Sequence, residues 1–339
     1  MERRPVLQII NAGGVDILPS LAGYWQSVTW EDAAGKKSDN ATITMLGPPA
    51  LYALPSRGSQ LAILAGWSDS GPVQQGVYTV QKWSPWGDPE HGEFVDITLK
   101  AADFVDSLKQ HGHKHHEAGS TFGQIVQSEA QAAGLSAVID PVLAAIPMAY
   151  QLRWGRSPID FLFELAETLG ATVKPSGGKL VVMKRGASAS GSGQALTPIV
   201  IARNAAFAYR CTFEPRTQHG QIGAAYTDAS GNRQTSQVQT DMLGPLYFLP
   251  HPYRSQQEAQ QAARAEAYER QNNTFSGEFD APGMPYARAE APVVLSGFGW
   301  PIDGQCKAES VKSVVTTDGG YVTTVSVKSG DTDKGKAAG

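Results

Sequence analysis

Short strands separated by turns fill the first hundred residues and restrict the fold more than any other feature of the sequence. Apolar residues recur with a period of two in 61–67, which places Leu61, Ile63 and Trp67 on one face of a strand. The other predicted strands are 6–10, 24–31, 41–46, 77–83 and 94–100, the last two joined as a hairpin across the turn-rich segment 84–89. Strands of this number and length predict a small β-barrel or sandwich.

The composition agrees with a turn-rich β protein. The 339 residues include 36 glycines and 21 prolines, and 18% are charged, against roughly 25% in an average soluble domain. We interpret the low charge as uncharged surface that partner subunits cover.

Charge and hydropathy exclude several classes of function. The formal net charge is -4, so no global positive field attracts nucleic acid. No stretch approaches the ~18 consecutive apolar residues of a membrane span, and residues 1–8 lack the apolar run of a secretory signal. We therefore expect no nucleic-acid partner and no stable membrane insertion.

The two cysteines, Cys211 and Cys306, are too few for a disulfide framework or a Cys-rich zinc site. Each is predicted to be a buried structural thiol, which suits assembly in the cytosol.

A small α+β segment is predicted at 118–185. Its first helix begins at Ser120 or Thr121 and ends before Gly134. Its second helix has Ser157 as N-cap, followed directly by a proline, and a hairpin completes the segment.

The sequence divides into parts at a low-complexity segment. Residues 186–195 contain only Gly, Ala, Ser and Gln, which predicts a flexible linker. The β pattern then returns, with one helix at about 255–272 that begins with Ser255 and Glu258 as a capping box. The predicted division is a first β-barrel at 1–110, an α+β domain at 118–185, the linker 186–195, a second β-barrel at 196–329 and a disordered tail at 330–339.

Four imidazoles within six residues are the obvious candidate for metal chemistry: His111, His113, His115 and His116. Imidazole binds divalent metals, but protein sites usually draw their ligands from separate elements. This run is expected in an exposed loop before the first helix. We therefore favour a polar loop without a resident metal, and we predict no cofactor.

Catalytic motifs are missing from the sequence. It contains no Gly-x-Ser-x-Gly elbow and no His-Glu-x-x-His pair. Glu164 and Glu167 are expected on the solvated side of their helix, with no second acid to form a glycosidase pair. We predict that the protein is not an enzyme.

Three local patterns follow one another along the chain. They are Ser-Thr-Phe-Gly-Gln-Ile-Val at 120–126 with Ala-Gly-Leu at 133–135, Ser-Pro-Ile-Asp-Phe-Leu at 157–162 with Gly-Gly-Lys-Leu-Val at 177–181, and Gly-Phe at 297–298 with Ile-Asp-Gly at 302–304 and Gly-Tyr-Val-Thr at 320–323. In this order and spacing they resemble the phage late control gene D family, the central hub of contractile-tail baseplates. The family is similar to the N-terminal hub part of type VI secretion spike proteins.

The resemblance implies a mainly β fold in which two tail-tube-like barrels flank the α+β domain. It implies a homotrimer whose six-barrel ring joins a three-fold spike to a six-fold tail tube or tube-initiator protein, with tape measure and baseplate wedge proteins as further partners. It implies force transmission without catalytic residues. The location would be the tail baseplate of a virion or of a tail-like bacteriocin, assembled in the bacterial host cytoplasm.

Two segments supply the interface candidates. Trp86 lies in segment 84–92 and Trp83 directly precedes it, and Met284 and Tyr286 lie in segment 283–289. Packing at a barrel end is the competing interpretation of the two tryptophans. A carbohydrate- or receptor-binding β module is the alternative function that they suggest, and a tail-associated cell-wall hydrolase is a further alternative.

Overall fold

The computed structural model describes residues 3–34, 38–101, 106–176, 179–184, 196–213, 219–228, 230–240, 243–272 and 275–329. The predicted linker 186–195 and the predicted tail 330–339 lie outside the described residues. The chain divides into two compact units. The first comprises 1–102, 197–211 and 277–327, and the second comprises 103–196, 212–276 and 328–339.

The secondary structure is numbered in chain order. The strands are β1 Pro5–Asn11, β2 Trp25–Ala33, β3 Asn40–Leu46, β4 Gln60–Trp67, β5 Gly71–Asp88, β6 Gly92–Ala101, β7 Gly112–His116, β8 Ser136–Ile139, β9 Gln151–Arg156, β10 Ala171–Ser176, β11 Lys179–Lys184, β12 Ile199–Ala202, β13 Ala208–Phe213, β14 Gln221–Thr227, β15 Arg233–Gln239, β16 Leu246–Phe248, β17 Phe275–Pro282, β18 Pro292–Ser296, β19 Gly304–Thr316 and β20 Tyr321–Ser329. The helices are α1 Asp106–Lys109, α2 Phe122–Ala132, α3 Pro141–Ala144, α4 Pro158–Thr168 and α5 Gln256–Asn272. This confirms the predicted class, mainly β with a small α+β insert.

One large sheet organises the first unit. Its strand order is β1-β4-β5-β6-β3-β2-β19-β20-β17-β13, and β18 pairs with both β19 and β12. The antiparallel ladder between β2 and β19 places Trp30 opposite Ser313. The two compact units are therefore interleaved along the chain. Such long-range pairing leaves no local sequence signal. The two-barrel organisation at 1–110 and 196–329 stays a prediction.

The core of this sheet follows the predicted alternation. Leu61, Ile63, Ala65 and Trp67 are all buried, as the period of two in β4 predicted. Each large apolar side chain buried in this way contributes about 1.5–3 kcal/mol.

The predicted turn at 84–89 is wrong, because β5 continues through this segment to Asp88. Beyond Thr79, β5 pairs with β6 alone among the described strands. The other side of β5 is an open edge in this segment. Pro85 lacks an amide hydrogen, but at an open edge this removes no hydrogen bond between strands. The hairpin consequently turns at residues 89–91.

The predicted helices of the second unit are confirmed. The Thr121 hydroxyl accepts from the Gln124 amide, and the Gln124 side chain accepts from the Thr121 amide, so α2 has a complete capping box. Ser157 caps α4, and Gly170 after its end has a φ of +65°. The sheet β10-β11-β8 packs with α2 and α4 in one apolar core.

The third predicted cap is only half of a capping box. The Ser255 hydroxyl accepts from the Glu258 amide at 3.2 Å, as predicted for α5. The Glu258 carboxylate instead accepts from the amides of Arg254 at 3.3 Å and Ala149 at 3.4 Å. This carboxylate therefore joins α5 to the segment before β9. Buried alanines of α5 pack on the small sheet β15-β14-β16.

Cys306 is buried, as predicted, whereas Cys211 on the outermost strand β13 is only half-buried, so the prediction for Cys211 is wrong. Among the described helices, none combines the length and apolarity needed to cross a membrane.

Candidate interaction surfaces

Trp86 lies near the tip of the β5–β6 hairpin and is held in a defined orientation. Its ring stacks on Phe94 with centroids 4.5 Å apart, and its indole N–H donates to Oδ2 of Asp96 at 3.0 Å. The other carboxylate oxygen of Asp96 accepts from the Thr44 hydroxyl at 2.8 Å. Even so, 45% of Trp86 is exposed, which leaves a rigid aromatic surface open to solvent.

Trp83 is exposed to a similar extent, 46%, but lies on the opposite face of the hairpin. Successive side chains of a strand point to opposite faces. Because Trp86 follows Trp83 by three positions, the two side chains lie on opposite faces. Trp83 is paired with Ile97, and Trp86 with Phe94. The two indoles therefore do not form a single flat platform of the kind that a sugar would cover.

The segment that carries Met284 and Tyr286 joins β17 to β18. The Met284 amide donates to the Thr323 hydroxyl at 2.9 Å, and the Pro285 carbonyl accepts from the side-chain amide of Gln75 at 3.1 Å. Tyr286 is 59% exposed, whereas Met284 is half-buried. Of these two interface candidates, Tyr286 therefore offers more surface to a partner.

The histidine run does not lie in a loop, contrary to the prediction. Its last five residues form β7, which pairs antiparallel with β9. Local sequence reasoning missed this strand because its inward face is polar. The inward side chains include His116 and Lys114, and the exposed ones include His113 and His115.

A buried charged cluster explains the polar inward face. Nε2 of His116 lies 3.0 Å from Oε1 of Glu129, and Nε of Arg153 lies 3.4 Å from the same oxygen. Burial alone would raise the pKa of the Glu129 carboxyl, but the hydrogen bond from His116 and the charges of Arg153 and Lys114 outweigh it and lower the pKa. Oε2 of Glu129 is buried without a hydrogen-bond partner among the described residues.

The outward faces of β7 and β9 form a strip that sequence reasoning also missed. Trp154 is 69% exposed and its ring lies 4.1 Å from that of His113. The signal was present as the alternation Gln-Leu-Arg-Trp at 151–154, in which the polar residues point inward and the apolar ones outward.

The described residues contain no group of three or more His, Cys, Asp or Glu side chains placed to hold a metal. The run itself supplies one reason. Nδ1 of His113 accepts from the Gly155 amide at 3.0 Å, so the hydrogen of the neutral ring lies on Nε2. In this tautomer, neither ring nitrogen of His113 has a lone pair available to a metal. The absence of a resident metal from the run stays a prediction.

A cavity of about 420 Å³ opens in the first unit beside Tyr52, Leu54 and Leu61. Apolar side chains dominate its lining, which carries no carboxylate, imidazole or thiol group.

Comparison with known proteins identifies relatives. No family model matches the chain. A protein named "Probable baseplate hub protein" from Escherichia phage 186 is 26% identical over 277 residues, which cover 80% of this chain and 70% of that protein. A protein of the same name from Escherichia phage P2 is 30% identical over 191 residues, 56% of this chain and 48% of that protein.

The chain resembles phage baseplate hub proteins along most of its length. These relatives confirm the resemblance to a baseplate hub family that the three sequence patterns indicated. The chain spans about half the length of the phage P2 protein and 70% of the length of the phage 186 protein.

The fold has a solved counterpart. The 43 kDa tail protein of prophage MuSo2 from Shewanella oneidensis superimposes with a TM-score of 0.65, covering 96% of this chain and 98% of that protein. At 16% identity this likeness shows a shared fold alone.

Proposed function

We propose that this chain is the structural baseplate hub of a contractile phage tail or a phage-tail-like particle. The observation that carries the proposal is the match to the hub protein of phage 186, which covers 80% of the chain. The site geometry agrees, because the exposed features of the described residues are aromatic surfaces rather than clusters of acids, bases and nucleophiles.

The hub is a homotrimer whose ring joins the six-fold tail tube, or a tube-initiator protein, to the three-fold spike. In the first unit, the described sheet ends in β1 and β13. A strand at the end of a sheet is a common place of contact with an adjacent subunit. The low fraction of charged residues, 18%, supports extensive contact between subunits.

The contacts with neighbouring rings use the tip of the β5–β6 hairpin and the segment around Tyr286. Trp86 is an exposed aromatic residue whose indole is held by Asp96. Tyr286 is exposed on backbone that the Gln75 side chain holds at Pro285. Such residues bury a large area at little cost in conformational entropy, which is why aromatic anchors dominate many interfaces.

The mechanism is mechanical and needs no catalysis. When the sheath contracts, the tube, the hub and the spike move as one column through the cell envelope, and the hub matches their symmetries. The protein belongs to the tail baseplate and assembles in the host cytoplasm, where tape measure and baseplate wedge proteins are further partners.

Coexpression with the spike and tube proteins of the same particle tests the proposal. We expect the chain alone to have three times the mass of one chain by light scattering, and together with the spike to have that mass plus the mass of the bound spike. We also expect it to copurify with the spike and tube proteins. A chain that stays a monomer and retains neither protein would overturn the proposal, as would peptidoglycan cleavage that a single substitution abolishes.

A further inference from the structure

The Trp154–Gly155 bulge in β9 is held by two side chains of the histidine run. In the ladder, Gly112 pairs with Arg156 and Lys114 with Arg153, so His113 alone faces Trp154 and Gly155. Two residues opposite one define a β-bulge. Gly155 has a φ of +64°, a backbone conformation that glycine adopts without strain.

Imidazoles replace the missing backbone partners of Gly155. Its amide donates to Nδ1 of His113 at 3.0 Å, and its carbonyl oxygen lies 2.8 Å from Nδ1 of His111. An amide needs an acceptor and a carbonyl needs a donor, so the chemistry of the partners assigns the tautomers. The neutral His113 ring carries its hydrogen on Nε2, and the His111 ring carries one on Nδ1.

The two bonds respond differently to acid. Protonation places a hydrogen on Nδ1 of His113, which then can no longer accept from the Gly155 amide. His111 already donates through Nδ1 and continues to donate when protonated. Acid therefore removes one of the two bonds and leaves the Gly155 amide facing a second N–H group.

The charged groups nearby are already engaged or lie elsewhere on the two strands. From β9, Arg153 pairs with Glu129 of α2, and Arg156 pairs with Glu164 of α4. From β7, Lys114 donates to the carbonyl of Ser128 and His115 lies 3.5 Å from Glu117. None of these contacts supplies a replacement acceptor for the Gly155 amide.

We propose that this bulge is an acid-sensitive conformational device that the neutral imidazole of His113 holds in place. The device controls the position of the Trp154 indole. This ring packs on His113 and is otherwise exposed. At neutral pH the bulge fixes the indole on the outer face of β9. Protonation of His113 loosens the bulge and frees the indole.

The first test is to determine the tautomers of His111 and His113 in the unsubstituted chain. Long-range proton–nitrogen spectra of the full chain with ¹⁵N-labelled histidine should show His113 with its hydrogen on Nε2 and His111 with its hydrogen on Nδ1. Spectra of His113→Asn and His111→Asn assign the signals. A hydrogen on Nδ1 of neutral His113 would overturn the proposal.

Hydrogen exchange at Gly155 is the second test, corrected for the intrinsic effect of pH. Between neutral pH and a pH acidic enough to protonate imidazole, we expect protection of this amide to fall about fivefold, the equivalent of one net hydrogen bond. In His113→Asn the amide oxygen occupies the position of Nδ1 but does not titrate, so protection should persist in acid. His115→Asn is the matched control and should behave as the unsubstituted chain. Equal protection at both pH values in the unsubstituted chain, or the same loss in His113→Asn, would contradict the proposal.

Discussion

The indole N–H of Trp67 donates to the carbonyl oxygen of Gly283 over 2.8 Å, although the two residues are 216 positions apart in the chain. Trp67 is the last residue of β4, and Gly283 directly follows β17. Both contact Tyr321: its ring lies 5.3 Å from that of Trp67, and its carbonyl accepts from the Gly283 amide at 2.8 Å. This bond links early and late parts of the chain within the first compact unit.

Trp67→Phe should lower the free energy of unfolding by about 1–3 kcal/mol, because the buried Gly283 carbonyl loses its donor. Chemical denaturation followed by circular dichroism measures the change. Trp83→Phe is the matched control, since Trp83 is exposed and should change stability by less than about 0.5 kcal/mol. Equal effects of the two substitutions would contradict the role of this bond.

Gly283→Ala should destabilise the protein by about 3 kcal/mol, the upper range for overpacking. A Cβ at this position would lie 2.2 Å from the Tyr321 ring, which is buried and cannot withdraw freely. In the control Gly112→Ala, the nearest atom is Nη1 of Arg153 at 3.5 Å, an ordinary van der Waals distance. Thermal unfolding that ranks Gly112→Ala as the more damaging change would refute the packing argument.

Glu129→Gln should destabilise the protein by about 3 kcal/mol at neutral pH, because Arg153 loses its buried counter-charge. Glu164→Gln is the matched control. Its partner Arg156 is exposed, so the loss should stay below about 1 kcal/mol. Denaturant titration at pH 7 distinguishes the two.

The same carboxyl predicts a dependence on pH. Its pKa in the folded protein is lowered from the ordinary value of 4.5, so its contribution to stability is present above that value and is lost as the pH falls below it. The difference in stability between pH 7 and pH 3.5 should therefore be smaller in Glu129→Gln than in the unsubstituted chain. An unchanged difference would show that Glu129 does not control acid sensitivity.

Trp86→Ala should reduce copurification of the neighbouring ring protein at least tenfold while the chain remains folded, because it removes an exposed aromatic anchor. Trp86→Phe, which keeps a ring over Phe94, should retain part of the binding. Pull-down of the spike and of the tube protein in parallel identifies which of them the hairpin contacts. Undiminished capture of both by Trp86→Ala would exclude the hairpin tip as an interface, and glycan binding lost in this variant would favour the carbohydrate-binding alternative.

Local signals in the sequence were sufficient for individual elements. The alternation at 61–67, the cap at Ser120 or Thr121 and the cap at Ser157 depend only on neighbouring residues. Each element forms where they predicted it, and Thr121 is the residue that caps the first helix. Interactions with distant residues override such signals elsewhere. Strand β7 was missed because its inward face is polar, as in His116, which hydrogen-bonds to Glu129. A strand of this composition has the same sequence pattern as a polar loop.

The same reasoning explains the site. The exposed tryptophans of the β5–β6 hairpin were visible in the sequence, but their opposite orientation follows from the continuation of β5 through the predicted turn at 84–89. The bulge that presents Trp154 depends on the register between β7 and β9 and on two imidazoles that bond to the amide and the carbonyl of Gly155. That register cannot be inferred from residues on a single strand.

The most direct test of the proposed hub function is the position of the chain in its particle. Electron cryomicroscopy of tails purified from the producing host should reveal three copies of this fold in a ring between the tube and the spike. Side-chain density should identify the β5–β6 hairpin at a boundary between rings. If the density at that position belonged to another protein and this chain were absent from the tail, the chain would not be the hub.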